Sequence, residues 1–328
     1  MADRRSASRL PPEDADRLRA ALGRRPLDLT RSLFGPGSAS WRINREAILL
    51  LGGGRALLLQ VAHPLVAAGV AAHSRFRTQP LERLWRTLDV MLTIVFADAA
   101  RAIRAVRQIE RVHARVRGAL DTDVGPFPRG TRYDASDPLL LFWVHATLVD
   151  SAILTYQRFV APLTVAVRTA YYEESKIAGR LLGISEALIP PTLAEFERYV
   201  GDMIHGEVLS VGAAARAVAA SILRPPVPLG LRPAFAAAAL PTIGLLPPPL
   251  RERYGFSWSP AHELALSALA AVTRNTLPLL PECVRVMRHA RHRTRSRTAS
   301  DQRPHSKRAH RRAENLARND PNPMAPDV

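Results

Sequence analysis

The chain has 328 residues, enough for one large domain or two ordinary ones with a substantial core. Hydrophobic residues at 47% and charged residues at 23% exclude a wholly disordered or collagen-like chain, and a single cysteine, Cys283, excludes an internal disulfide framework or a multi-cysteine metal site. The 46 Lys+Arg against 29 Asp+Glu, a net +17, raise the question of nucleic-acid binding, which turns on where the charge sits.

Residues 1–37 contain Arg, Asp, Pro and Gly and no apolar run of the kind a secretory signal needs, so they read as a flexible lead-in to a cytoplasmic protein. From 38 to 282 the pattern is helical almost throughout, broken by Pro and Gly clusters, and predicts a single all-α, multi-helix globular domain. Helices are predicted near 40–51, 53–72, 80–97, 98–118, 136–160, 164–183, 191–222 and 260–277. Ser136-Asp137-Pro138 opens one of them, and Pro191-Thr192 precedes another with Glu195 in its first turn. The Pro-rich stretch from Pro225 to Pro249 reads as an irregular connection with one short helix.

Ala47–Ala72 is the most apolar stretch, but Arg55, Gln60, His63 and Pro64 interrupt it. Charges at a bilayer centre are costly, so a buried helix pair is expected there rather than a transmembrane segment. Leu264–Leu280 fails in the same way at Arg274 and Asn275. From 283 to 328 the chain reads as a basic disordered tail: Arg285–Val328 holds 12 Lys+Arg, 4 Asp+Glu and no aromatic residue. Such a tail implies weak contact with anionic surfaces, with a nucleic-acid arm as the other reading. Arginine outnumbers lysine 44 to 2, which points to coding bias as much as to phosphate recognition. No zinc-finger spacing, basic zipper or aromatic-rich RNA-binding motif is present, so no specific nucleic-acid partner is expected.

Helical geometry singles out His113. At 100° per residue from Ile103, the apolar residues Val106, Ile109, Val112 and Val116 share one half of the 98–118 helix, and His113 falls within it. Arg101, Arg104, Arg107, Arg111 and Arg115 occupy the opposite, solvated face. An imidazole aimed at the core needs a partner, either a metal or cofactor or else a carbonyl or carboxylate. Glu110 and His113 also form a Glu-x-x-His pair, but a di-iron site needs a second copy, which the sequence lacks.

On the 80–97 helix, Arg83 and Thr87 lie beside Val90, Met91 and Ile94 rather than on the polar face of Glu82, Asp89 and Thr93, and Arg86 sits near the boundary. A guanidinium and a hydroxyl on an apolar flank suit an anionic group or bound oxygen. The ordinary alternative is a snorkelling arginine and a threonine bonded back to its own helix.

A series of short motifs follows in order: Gln60-Val-Ala-His63-Pro64, Gly69-Val-Ala-Ala-His73-Ser74, Arg83-Leu-Trp-Arg86-Thr87, Val112-His113 with Gly118, Trp143-Val-His145-Ala-Thr147, Tyr171-Tyr172-Glu173-Glu174, Leu182-Gly183 and Ile189-Pro190. Over residues 38 to 280 this order resembles the family of the rubber oxygenase (latex-clearing protein) and the MpaB-type oxygenase catalytic domain. The resemblance implies an all-α fold holding haem b, with His113 as the proximal iron ligand. It also implies that Arg83, Arg86 and Thr87 line the distal side, with Arg83 and Thr87 as catalytic candidates.

Two departures stand out. Arg86 takes the place of a distal lysine, and a guanidinium stays protonated and does not ligate iron. With Arg86 unable to ligate, the resemblance implies a distal site that, with haem bound, would be open, filled by water, or occupied by His63 or His73. The family's upstream glutamate also has no counterpart, because Glu82 is the only glutamate between Glu46 and Glu110. The expected function is therefore an oxygenase acting with molecular oxygen on a hydrophobic, isoprenoid or lipid-like substrate in an apolar cavity. The alternative is a non-catalytic lipid- or partner-binding protein of the same fold.

Overall fold

The computed structural model describes residues 10–23, 25–73, 80–225, 230 and 232–291, with side chains omitted for 80–87, 232 and 234–236. The chain is helical from α1 (Pro12–Leu22), whose first turn carries a proline, Glu13 and Asp14, a composition suited to a helix N-terminus. Part of the expected lead-in is thus a helix. Its Leu18 and Leu22 are buried against Ile103, Ile177 and Leu181, which anchors it to the body.

Next comes α2 (Ala39–Asn44), capped by the Ser38 hydroxyl, and a 3-10 turn at Ala47–Leu49 that leads into α3 (Leu50–Ala62). The helix predicted over 53–72 is in fact two. Pro64 lacks an N–H for the preceding turn, so the chain turns extended at His63 and leaves as α4 (Pro64–His73), bent by 106°. Two further helices, α5 (Pro80–Phe96) and α6 (Ala99–His113), pack against each other across a two-residue link, with Asp98 capping the second.

The chain then forms the small antiparallel pair β1 (Arg117–Ala119) and β2 (Arg132–Asp134), in which Gly118 faces Tyr133. The helix predicted to 118 therefore ends at His113. Asp137 caps α7 (Pro138–Phe159) and Thr164 caps α8 (Val165–Leu181). Thr192 and Glu195 close a reciprocal capping box on α9 (Leu193–His205), so the predicted start signals at 137–138 and 192–195 act as caps. The single helix predicted over 191–222 is interrupted between Gly206 and Gly212 and resumes as α10 (Ala213–Leu223).

Within the Pro-rich connection lies α11 (Arg232–Gly244), followed by α12 (Pro248–Tyr254), the long α13 (Pro260–Thr276) and the short α14 (Glu282–Arg285). Val286 and Ala290 are buried against Trp41, Leu92 and Phe96, so ordered structure continues past the expected boundary at 283. Residues 292–328 lie outside the described residues.

The core is built around α7, which packs against α2, α3, α8, α9 and α13. Its Phe142, Trp143, Ala146 and Phe159 are all at most 3% exposed. By length and composition α7 is the one described helix that matches a membrane span, a feature absent from the sequence expectations above, and α3 with α4 would count as a bent second span. Here α7 is the hub of a helical core, which accounts for its apolar composition.

Candidate functional site

The α3–α4 corner and the β1–β2 pair that follows α6 meet side by side. Gly69 of α4 makes the approach close, since a Cβ there would lie 3.3 Å from Val116 and 3.7 Å from Tyr133. At Gly118 a Cβ would stand 2.4 Å from the Tyr133 hydroxyl, so only glycine fits opposite that ring. The two glycines of the Gly69 and Gly118 motifs therefore join the segment after His113 to the helix that His63 and His73 bracket. An open cleft of about 620 Å³ lies over Gly118 and Tyr133, rimmed by Arg117, Arg132, Asp134 and Asp137.

His63 sits at the corner itself, buried, its ring 5.3 Å from that of Phe127. Its Nδ1 accepts from the Leu65 amide at 3.3 Å, which puts the proton on Nε2. Burial pushes its pKa down to about 4, against the opposing pull of Asp137, so it is neutral at pH 7. His73 ends α4, exposed, and donates from Nε2 to the Arg117 carbonyl at 3.0 Å, with the Tyr133 hydroxyl 3.4 Å away.

His113 closes α6. The expected apolar stripe holds for Ile103 and Val106, both fully buried, but fails at the end of the helix, where Val112 is 56% exposed and His113 is half-buried. The last turn of α6 emerges from the core, so His113 stands at its edge rather than inside it. The arginine face is not wholly solvated either. Arg107 donates to Asp14 at 2.7 Å and pairs with Glu13 and Glu110, while Arg17 also binds Glu110, and these contacts dock α1. Glu110 is thereby committed to arginines, and among the described residues no group of three or more His, Cys, Asp or Glu is arranged to hold a metal ion.

Arg83, Arg86 and Thr87 fall on the first half of α5, with side chains outside the described residues. Each of Arg83 and His113 stands about 14–15 residues, roughly 22 Å, from the link between the two packed helices, which sets them toward the same end of the pair.

The remaining motifs make contacts between helices of the body. His145 of α7 is buried beside α8, its Nε2 3.5 Å from where a Gly179 Cβ would be, and burial lowers its pKa to about 4. Gln60 donates to the Thr147 hydroxyl at 3.1 Å, and the Trp143 indole donates to the Leu59 carbonyl at 3.2 Å, so both join α3 to α7. The Glu174 carboxylate accepts from the Ser40 and Ala39 amides, at 2.6 and 3.3 Å, and completes the cap of α2. Tyr172 and Lys176 bind the carbonyls of Pro190 and Pro191, each at 2.6 Å.

Sequence reasoning did not foresee what Arg55 does. Buried on α3, it pairs with Asp150 at 2.6 Å and donates to Ser151 at 2.6 Å and to the Leu245 carbonyl at 2.7 Å, tying α3 to α7 and to the end of α11. A charge amid an apolar run was the only available signal, and it did not say which carboxylate would answer it.

No solved structure matches the chain significantly. Two uncharacterized mycobacterial proteins, one from Mycobacterium bovis and one from Mycobacterium tuberculosis, are each 26% identical over 234 residues, covering 69% of this chain and 87% of theirs. A family model described as the catalytic domain of the ER-bound oxygenase mpaB/B' and rubber oxygenase matches residues 41–275. That span takes in the α3–α4 corner, the α5–α6 pair, the β1–β2 contact and the α7 hub, and the chain belongs to this family of oxygenase catalytic domains.

Proposed function

We propose that the protein is a haem b-dependent oxygenase in which His113 would hold the iron and the substrate is hydrophobic, of isoprenoid or lipid-like chemistry. Family membership supports the oxygenase role. The position of His113 carries the finer reading. It ends α6 half-buried where the helix leaves the core, whereas His145 is enclosed between helices.

The donor set suits this group. A neutral imidazole ligates iron, and the guanidinium groups of Arg83 and Arg86 on the neighbouring helix suit anionic propionates. His63 is the weaker second ligand, because the hydrogen bond to its Nδ1 leaves the proton on Nε2. Haem held by His113 would supply oxygen activation, and the chain would set orientation, polarity and access. In this reading Arg83 and Thr87 would line the distal side and orient oxygen or anchor a propionate.

The two glutamates that flank α5 in sequence are both engaged, and the side chain of Glu82, between them, lies outside the described residues. Glu46 is buried and held by Arg285 at 2.9 Å, and Glu110 is held by Arg17 and Arg107. Chemistry that needs a glutamate base is therefore not assigned.

Protein produced with ample haem is expected to show a Soret band that His113→Ala abolishes, while its helical circular dichroism is unchanged. Colourless protein that takes up no haemin would overturn this reading and leave the non-catalytic lipid- or partner-binding alternative.

A further inference from the structure

The helix α5 carries two apolar stripes. At 100° per residue, Leu88, Leu92 and Phe96 lie roughly 150° round the helix from Val90, Met91 and Ile94. The second stripe packs in the cluster that holds Ile103 and Val106 of α6. The first packs with Trp41 of α2 and with Val286 and Ala290, which follow α14. By helical register, positions 83 and 87 continue the second stripe, the side of α5 that meets α6. The segment 285–290 therefore grips α5 from behind that side.

The grip is anchored at both ends. At its start, Arg285 donates through Nε and Nη2 to both carboxylate oxygens of Glu46, at 2.9 and 3.1 Å, and Glu46 is only 2% exposed. A buried carboxylate is costly to leave unpaired, so this anchor is firm. The Met287 amide adds a hydrogen bond to the Arg45 carbonyl at 2.8 Å. At the other end, His289 Nε2 lies 2.9 Å from Asp89 Oδ1 on α5. Leu88 and Asp89 are within half a turn of position 87, so the last contact of the segment is the one nearest the candidate site. The buried residues of this cluster are separate from those around α7, so loosening it leaves the main core in place.

We propose that residues 285–290 form a positioning strap that sets how α5 sits on α6, and with it how positions 83 and 87 stand toward His113. Its service to an oxygen site rests on the haem reading above, whereas its hold on α5 does not.

The test uses the full chain. Val286→Ala combined with His289→Ala is expected to speed amide exchange over α5 about tenfold, the loss of a small apolar contact plus one exposed pair, with exchange over α7 unchanged. In haemin-loaded protein the same double variant is expected to shift the Soret band. His289→Gln alone, whose amide still donates to Asp89, should keep both the exchange and the band of the wild type. Unchanged exchange over α5, or equally faster exchange over α7, would overturn the strap. Faster exchange over α5 with an unmoved Soret band would remove its positioning role. Protein that takes up no haemin counts against the haem reading instead, and the exchange comparison still decides the strap.

Discussion

His145 is enclosed between α7 and α8 and is tolerated there only as a neutral ring, because transfer of an imidazolium into that packing is costly. Burial lowers its pKa to about 4, partly offset by a hydrogen bond with the Ser175 backbone, and His63 is lowered to about 4 in the same way. The unfolded chain, with histidines near 6.5, then binds more protons than the folded one between about pH 6.5 and 4. Stability contributed by each group is complete above the unfolded value and is lost as pH falls through this window, by about 1.4 kcal/mol per pH unit per group at most. Melting temperature is thus expected to drop between pH 7 and pH 5, and His145→Gln to show a shallower drop than the wild type. An identical slope in the variant would mean that His145 is not held neutral.

At this scale the sequence singled out His113 by its place on an apolar stripe but could not say what surrounds His63, His73 and His145. Their roles depend on what lies within a few ångströms: Leu65 and Phe127 beside His63, the Arg117 carbonyl beside His73, and Gly179 beside His145. None of these is visible as a helical spacing.

At the scale of elements, α3 and α7 are joined by a seam in which small residues and buried polar groups alternate. A Cβ at Gly52 would lie 2.1 Å from the Thr155 hydroxyl, Arg55 pairs with Asp150, and Gln60 bonds Thr147. Gly52→Ala is expected to destabilise the protein by about 1–3 kcal/mol through overpacking, although alanine is the better helix former. Adding Thr155→Ala should recover part of that loss, and a thermal-melt double-mutant cycle measures the coupling. Additive losses would place the cost elsewhere.

Helix starts were legible because a capping residue and its partner are three positions apart in sequence, as with Thr192 and Glu195. The break at Pro64 also has a local cause that a reading of apolar spacing passes over. The end of α6 is different. Nothing local stops a helix at His113; the pairing of Gly118 with Tyr133, fifteen residues later, competes for that backbone. The expected outward face of α6 failed for a related reason, because Arg107 binds acidic residues of α1, some ninety positions away.

For the whole molecule, α1 completes the body rather than trailing from it. Leu18, Ala21 and Leu22 cover Ile103, Ile177 and Leu181, and Arg107 ties the helix down through Asp14. Deleting residues 1–23 exposes that cluster and is expected to lower stability by about 2–5 kcal/mol, read as a fall in denaturant midpoint. An unchanged midpoint would show α1 to be dispensable. The other end of the ordered chain is fixed in the same manner, since Val286 and Ala290 are buried and Arg285 bonds Glu46 at 2.9 and 3.1 Å. A truncation meant to remove only basic chain therefore has to cut after residue 291.

The all-α class, most helix positions and the ordered motif series follow from the sequence alone, because helical periodicity, caps and proline positions act over three to five residues. Tertiary structure decided what those helices do to one another. It broke the apolar run into α3 and α4, ended α6 so that His113 stands at the edge of the core, and gave α1 a place in it. It also left Leu264 and Val272 of α13 exposed. Each of these outcomes rests on contacts between residues tens to hundreds of positions apart, where local pattern carries no information and packing energy makes the choice.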